Sequence, residues 1–265
     1  MYAFDFRKPE TLDQAVAALA ADPEAKLIAG GQTLVPTLRQ RLASPTALID
    51  LAAIPGLNGI EQRNDTLSIG AMARYAQIAA SPLVQKLVPA LAHLVEGIGD
   101  PLVRNRGTIG GSLCNNDPAA DLPAAALALN ATLYTNRRSI AAADFFVDLF
   151  ETALQPGEVL TRIEIKPPRR AAYAKFRNPA SRYAVVGVFV ADTADGIRVA
   201  VTGAGPKVFR QHAFEAALAR KYDAAVLEDI AVSADGLNSD LHASAEYRAN
   251  LVNVMARRAV AASLK

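Results

Sequence analysis

Apolar positions along this chain repeat with two periods, about 3.6 for amphipathic helices and about 2 for half-buried strands, and the switches between them predict the elements. Leu12, Val16 and Leu19 fall on one face of a helix expected over Thr11 to Ala21, and Thr11 and Gln14 have capping-box spacing. "KLIAGG" then reads as a short strand and "ALIDL" as a buried one. Between them "TLVPTLRQRL" reads as a helix or helical turn, interrupted early by Pro36. This rhythm predicts a small α/β unit over residues 1–55.

A second unit, residues 56–168, opens with two alternating runs around Asn64-Asp65, the pattern of a hairpin. Ser81-Pro82 starts a helix expected to carry Leu83, Leu87, Leu91 and Leu94 on one stripe. A helix near Pro123–Leu129 and strands near Ala131–Thr135 and Val159–Ile165 follow. The paired prolines of "KPPRR" suit neither helix nor strand and mark a boundary. The third unit, residues 169–265, has two β runs in "YAVVGVFVADTADGIRVAVTGAG", turning at Asp195-Gly196. Three helical stretches follow, the last from about Ser244 to Leu264. There is no internal repeat.

The chain has 265 residues, 51% of them hydrophobic and 20% charged, which is globular composition with room for two or three subdomains. A net charge of +2 gives no footprint of a nucleic-acid binder. The pairs Arg137-Arg138, Arg169-Arg170 and Arg257-Arg258 read as solvated surface, and Arg104 and Arg106 as surface or interface. With Cys114 as the only cysteine, neither a disulfide nor a cysteine-ligated iron–sulfur cluster can form within this chain. Cys114 itself reads as a small buried filler. The N-terminus lacks the apolar core of a secretory signal, and runs such as "AVVGVFVA" are too short for a bilayer, so a cytoplasmic location without a membrane span is expected. His93, His212 and His242 lack metal-ligand spacing, and no nucleophile–base pair stands out, so no metal site and no catalytic residue is assigned.

Two segments carry candidate chemistry. "IAGGQTLVP" runs a strand into Gly30-Gly31, and "RNRGTIGGSLCNNDPAADLP" places Thr108 ahead of Gly110-Gly111. Glycine lets backbone come close to a ligand, and successive N–H groups can form an anion nest; the plainer reading of the first segment is a tight strand-to-helix turn. Neither fits the dinucleotide fingerprint or the Gly-Lys-Ser/Thr loop, which disfavours a Rossmann domain and an ATPase. Asp117 precedes Pro118 and suits a turn cap, leaving Asp121 as the candidate for a ligand hydroxyl. Tyr183, beside a Val-Val run, is either a core aromatic or a ligand contact.

"AGGQTLVP", "VRNRGTIGGSLCNNDPAADLP" and "KFRNPASRYAVVGV" together resemble the FAD-binding medium subunit of molybdenum hydroxylases, the carbon monoxide dehydrogenase and xanthine dehydrogenase type. The resemblance spans essentially the whole chain. It implies an α+β protein: a two-lobed, vanillyl-alcohol-oxidase-like (PCMH-type) FAD-binding fold, then a C-terminal α+β domain with an antiparallel sheet and helices. It implies that the main chain of Ala29, Gly30, Gly31, Gln32 and Thr33 holds the FAD diphosphate from one lobe, and that of Thr108, Ile109, Gly110, Gly111 and Ser112 from the other. Asn115 is implied to reach the ribityl chain and Asp121 to accept from a cofactor hydroxyl. Ile98 and Leu160 are implied to line the cleft, with Arg177 and Tyr183 near the flavin ring. Many members carry an Ala-His-Ala-like stretch at Cys114-Asn115-Asn116 and an acid at Arg182, so this chain departs from the pattern there.

The partners implied are a small iron–sulfur subunit and a large molybdenum-cofactor subunit, as a dimer of heterotrimers. In that reading electrons pass from the clusters to FAD here and on to an external acceptor. A free-standing FAD oxidase or dehydrogenase, and a flavin-free scaffold, are the rival readings. The first needs an acid–base group beside the flavin, and the second predicts no visible absorbance.

Overall fold

The structure, a computed structural model, describes residues 1–265. Three sheets of three or more strands organise the chain, beside a two-stranded ribbon of Phe146–Asp148 and Glu151–Thr152. The first is parallel, with Ala47–Asp50 between Asp5–Arg7 and Lys26–Ile28. The helix Leu12–Ala21 covers it and starts at the predicted capping box, where Thr11 and Gln14 cap each other. The helix Leu34–Arg39 is not interrupted by Pro36, because the proline sits in its first turn, where its missing N–H has no intrahelical acceptor.

The second sheet is antiparallel, in the order Ile60–Arg63, Thr66–Gly70, Leu160–Ile165, Thr132–Thr135, Ser139–Ala141. Its hairpin turns at Asn64-Asp65 as predicted, with Asn64 at φ 55° and Arg63 opposite Thr66. The helix expected from Ser81 onward is two helices, Pro82–Leu87 and Pro89–Glu96. Proline disfavours the helical conformation in the residue before it, and Val88 lies at φ −142°, ψ 64°. The leucine stripe survives the break: Leu91 and Leu94 are buried in the largest core, and Leu83 and Leu87 pack against it.

The third sheet is antiparallel, with Arg170–Arg177, Ala184–Thr193, Gly196–Thr202 and Phe209–Arg210 in that order. Thr193 pairs with Gly196, so the turn is Ala194-Asp195, one residue earlier than the sequence suggested. Gly196, at φ 106°, begins the return strand. The helix Ala245–Ala262 packs against this sheet with Leu251, Val252, Met255 and Val260 in a second core. Every residue of Ala184–Thr193 is buried, because the largest core lies on one face and this second core on the other. No helix is long and apolar enough to cross a membrane.

Candidate functional site

A cleft of about 570 Å³ opens where the three parts of the chain meet, within the range of pockets that hold small molecules and cofactors. One wall is the segment Ala29 to Thr33, which leaves the strand Lys26–Ile28. Gly31 sits there at φ 71°, a conformation that suits glycine. The main-chain N–H groups of residues 29–33 donate to no protein acceptor, while Gly31 and Thr33 carbonyls accept from Val35 and Thr37. Consecutive free amides of this kind form an anion-binding nest.

The opposite wall holds Thr108, Gly110, Gly111, Ser112 and Asn115. It is not a loop: Thr108 caps the helix Ile109–Asn115, and both glycines lie in its first turn. The amides of that turn are already engaged. Ile109 and Gly110 donate to the Ala73 and Ala71 carbonyls, Gly111 to Thr108 Oγ1, and Ser112 to the Thr108 carbonyl. The glycines serve packing instead. A Cβ on Gly110 would lie 2.6 Å from that of Ala71, and one on Gly111 would lie 2.8 Å from Thr108 Oγ1 and 3.6 Å from Ala29 Cβ across the cleft.

Ile98 and Leu160 line the cleft with apolar surface. Tyr183 stands at its rim with 47% of its surface exposed, so it is not a core aromatic. Burial, and then the charges of Asp117 and Asp121, push its phenol upward in pKa. Two predicted residues do not line the cleft. Ile109 points into the largest core, and Arg177 is an exposed side chain beside Gly97. Asp117 accepts from the Ala119 N–H, as a turn cap does. Arg104 is not free surface, since its guanidinium caps the Ile98 and Gly99 carbonyls.

Asp121 lies at the cleft wall yet is itself buried. Its Oδ2 accepts from Lys175 Nζ at 2.9 Å, and its Oδ1 accepts from the Tyr173 hydroxyl. Lys175 also donates to the Gly97 carbonyl at 3.2 Å and is 4% exposed. Desolvation raises the Asp121 carboxyl, and the neighbouring Lys175 and Tyr173 oppose the rise. Tyr173 is driven well above the ordinary phenol value, first by burial and then by the Asp121 charge.

Sequence reasoning missed Tyr173 and Lys175, although Lys175 opens the quoted "KFRNPASRY" stretch; their link to Asp121 spans more than fifty residues. It also missed Tyr75, a buried cleft residue whose phenol burial pushes up to about 12. Cys114 lines the cleft as well, and burial holds its thiol at about 12, unreactive.

Residues 2–168 match the model of the FAD binding domain in molybdopterin dehydrogenase, and residues 171–263 that of the CO dehydrogenase flavoprotein C-terminal domain. The chain belongs to the FAD-binding medium subunits of the molybdenum hydroxylases. The nicotine 6-hydroxylase medium subunit of Paenarthrobacter nicotinovorans is 36% identical over 272 residues, covering 97% of this chain and 96% of the relative. The carbon monoxide dehydrogenase medium chain of Hydrogenophaga pseudoflava is 34% identical, with 98% and 96% covered. Among solved structures, carbon monoxide dehydrogenase from that organism superposes with a TM-score of 0.91 at 32% identity, covering 99% of this chain and 98% of that one. Quinoline 2-oxidoreductase from Pseudomonas putida 86 gives 0.90 at 31%, with 99% and 97% covered. The family fixes the fold as the PCMH-type FAD-binding fold with its C-terminal domain, the cofactor as FAD, and the class as oxidoreductase. The cleft fits that cofactor: it brings together open amides, apolar walls and an aromatic side chain.

Proposed function

We propose that this chain is the electron-transfer subunit of a heterotrimeric molybdenum hydroxylase. It takes electrons from iron–sulfur clusters on a small partner, fed by a molybdenum centre on a large one, and delivers them to an external acceptor. The complex assembles as a dimer of heterotrimers, and the chain acts in the cytoplasm. The names of its relatives as medium chains and subunits support the multi-subunit part of this reading. Bound FAD supplies the redox chemistry; the protein binds it, orients it and keeps water from it.

The observation that carries the reading is the run of open amides over residues 29–33, facing the second lobe across a narrow cleft. In this reading Ala29, Gly30, Gly31, Gln32 and Thr33 hold the diphosphate through their N–H groups. Thr108, Gly110, Gly111 and Ser112 form the flat opposing wall, whose amides are already bonded, with Ile109 anchoring it in the core. Asn115 and Asp121 face the ribityl hydroxyls, Ile98 and Leu160 the rings' apolar surface, and Tyr183 the isoalloxazine edge. Arg177 adds positive potential from the rim without contact. The parts divide at residues 55 and 168, with both lobes needed to close the cleft.

The test is anaerobic. The isolated chain, purified with its flavin, is mixed with the substrate of the assembled complex while the flavin absorbance is followed. The expected result is no bleaching until both partner subunits are added. Bleaching of the isolated chain favours a self-contained flavoenzyme, and a colourless protein that still assembles favours a scaffold.

A further inference from the structure

Tyr173 reaches Asp121 through a gap in its own sheet. Tyr173 and Lys175 lie on the strand Arg170–Arg177, and Gly187 is the residue paired with Lys175 on the next strand. A Cβ on Gly187 would overlap the Tyr173 hydroxyl and lie 2.8 Å from its Cζ. The missing side chain is therefore the space the phenol occupies, and Phe189 stacks on the ring at 6.1 Å between centroids. The hydroxyl emerges against Asp121, next to Lys175 Nζ, so both carboxylate oxygens are held from the C-terminal sheet.

We propose that Tyr173, with Gly187 making room for it, is a positioning residue for the flavin: it fixes the Asp121 carboxylate in the cleft and ties cofactor retention to docking of the C-terminal sheet. The proposal rests on Asp121 being a cofactor ligand. An unpaired carboxylate here would turn towards Lys175 alone or take up a proton, because a buried charge needs its hydrogen bonds. With one oxygen on Tyr173 and the other on Lys175, rotation and protonation of the carboxylate are both opposed. The titratable and charged groups around it are Tyr173, Lys175 and Arg177 on its own docking strand, Tyr75 from the helix Tyr75–Ala80, and Tyr183 and Asp117 at the rim.

The experiment measures FAD dissociation from the purified chain as a function of pH for wild type, Tyr173→Phe, Gly187→Ala and Asp121→Asn, together with apoprotein melting. Tyr173→Phe keeps the ring and its stacking, so it serves where Gly187→Ala fails to fold. The expected result is a dissociation constant raised about tenfold in Tyr173→Phe, the size of one lost hydrogen bond to a charged group. Removing a donor to the carboxylate favours its protonated form, so acid-induced flavin release should begin at higher pH in Tyr173→Phe than in wild type. A merely structural tyrosine would lower melting without moving that pH. Weak binding in Asp121→Asn with wild-type affinity and pH profile in Tyr173→Phe overturns the positioning role and leaves Asp121 as a ligand. Wild-type binding in Asp121→Asn overturns both.

Discussion

The main chain of Arg106 and Gly107 occupies the space that a side chain on Gly30 would need. A Cβ there would overlap the Arg106 carbonyl oxygen and lie 2.8 Å from the Gly107 Cα. The two FAD-binding lobes therefore touch backbone to backbone at the cleft, and Gly30 sets their separation. Gly30→Ala should pry them apart. Overpacking of this kind costs about 1–3 kcal/mol, and flavin affinity should fall with it because the opposed walls no longer match. Melting temperature and flavin content together check this; an unchanged melt with full flavin would show that the lobes can shift freely.

The glycine pairs should separate by what each variant loses. Gly110→Ala places a methyl 2.6 Å from Ala71 Cβ and oxygen, inside the fold rather than the cleft. It should lower the melting temperature whether or not flavin is present. Gly31→Ala meets Val35 Cγ2 at 3.1 Å and Ile28 Cδ1 at 3.4 Å, both side-chain atoms, but must hold φ 71°, at a cost of about 1–2 kcal/mol. The chain escapes that cost by abandoning the nest, so Gly31→Ala should weaken FAD binding more than it lowers apoprotein stability. Calorimetric melts of apoprotein beside FAD titrations distinguish the two; the reverse ranking would place the diphosphate on the Thr108 side.

These two pairs also show how far the sequence could be read. "AGGQT" and "TIGGS" look alike as letters, yet one set of amides is open and the other closed. The difference is made by the Ala71 and Ala73 carbonyls, which lie nearly forty residues upstream of Gly110 and have no sequence signal. Local chemistry was legible: Thr11 with Gln14, the Asn64 hairpin and the Asp117 cap all involve partners within a few residues. Pro89 was equally visible, but the leucine stripe around it outweighed a helix break that the stripe itself tolerates. Tyr173 and Lys175 reach Asp121, and Tyr75 reaches the cleft, from distant strands and helices, so only the fold reveals them. The three quoted motifs carried the family and with it the sheet architecture, which composition alone could not have specified.

Tyr183→Ala should leave FAD bound and change how it behaves. The side chain is half exposed at the rim, follows Arg182 at φ 62°, and makes no side-chain hydrogen bond that folding depends on. An aromatic contact contributes about 0.5–1.5 kcal/mol, too little to govern retention of a cofactor held as proposed by several amides. Flavin fluorescence and reduction potential should shift modestly while flavin content stays constant. Spectrum, potential and fluorescence all identical to wild type would remove Tyr183 from the flavin site.

Glu158 should govern acid stability at the edge of the cleft. Its carboxylate is fully enclosed and takes Arg138 Nε at 2.9 Å and Nη2 at 3.0 Å, Thr135 Oγ1 at 2.8 Å and the Gln155 N–H at 2.9 Å. It immediately precedes Val159 and Leu160, which line the cleft, so it pins the start of the strand Leu160–Ile165. The Arg138 hydrogen bonds, then the Gln155 and Thr135 donors, outweigh burial and hold it down at about 2, against an ordinary 4.5. A carboxyl depressed on folding adds stability that is fully present above its unfolded value and lost as pH falls through its folded one. Glu158→Gln should therefore cost on the order of 2 kcal/mol at neutral pH. The gap from wild type should narrow only as pH falls from about 4.5 to about 2. Urea denaturation at stepped pH reads this directly. A constant gap across that window would mean that the lost contacts are packing and not the ion pair.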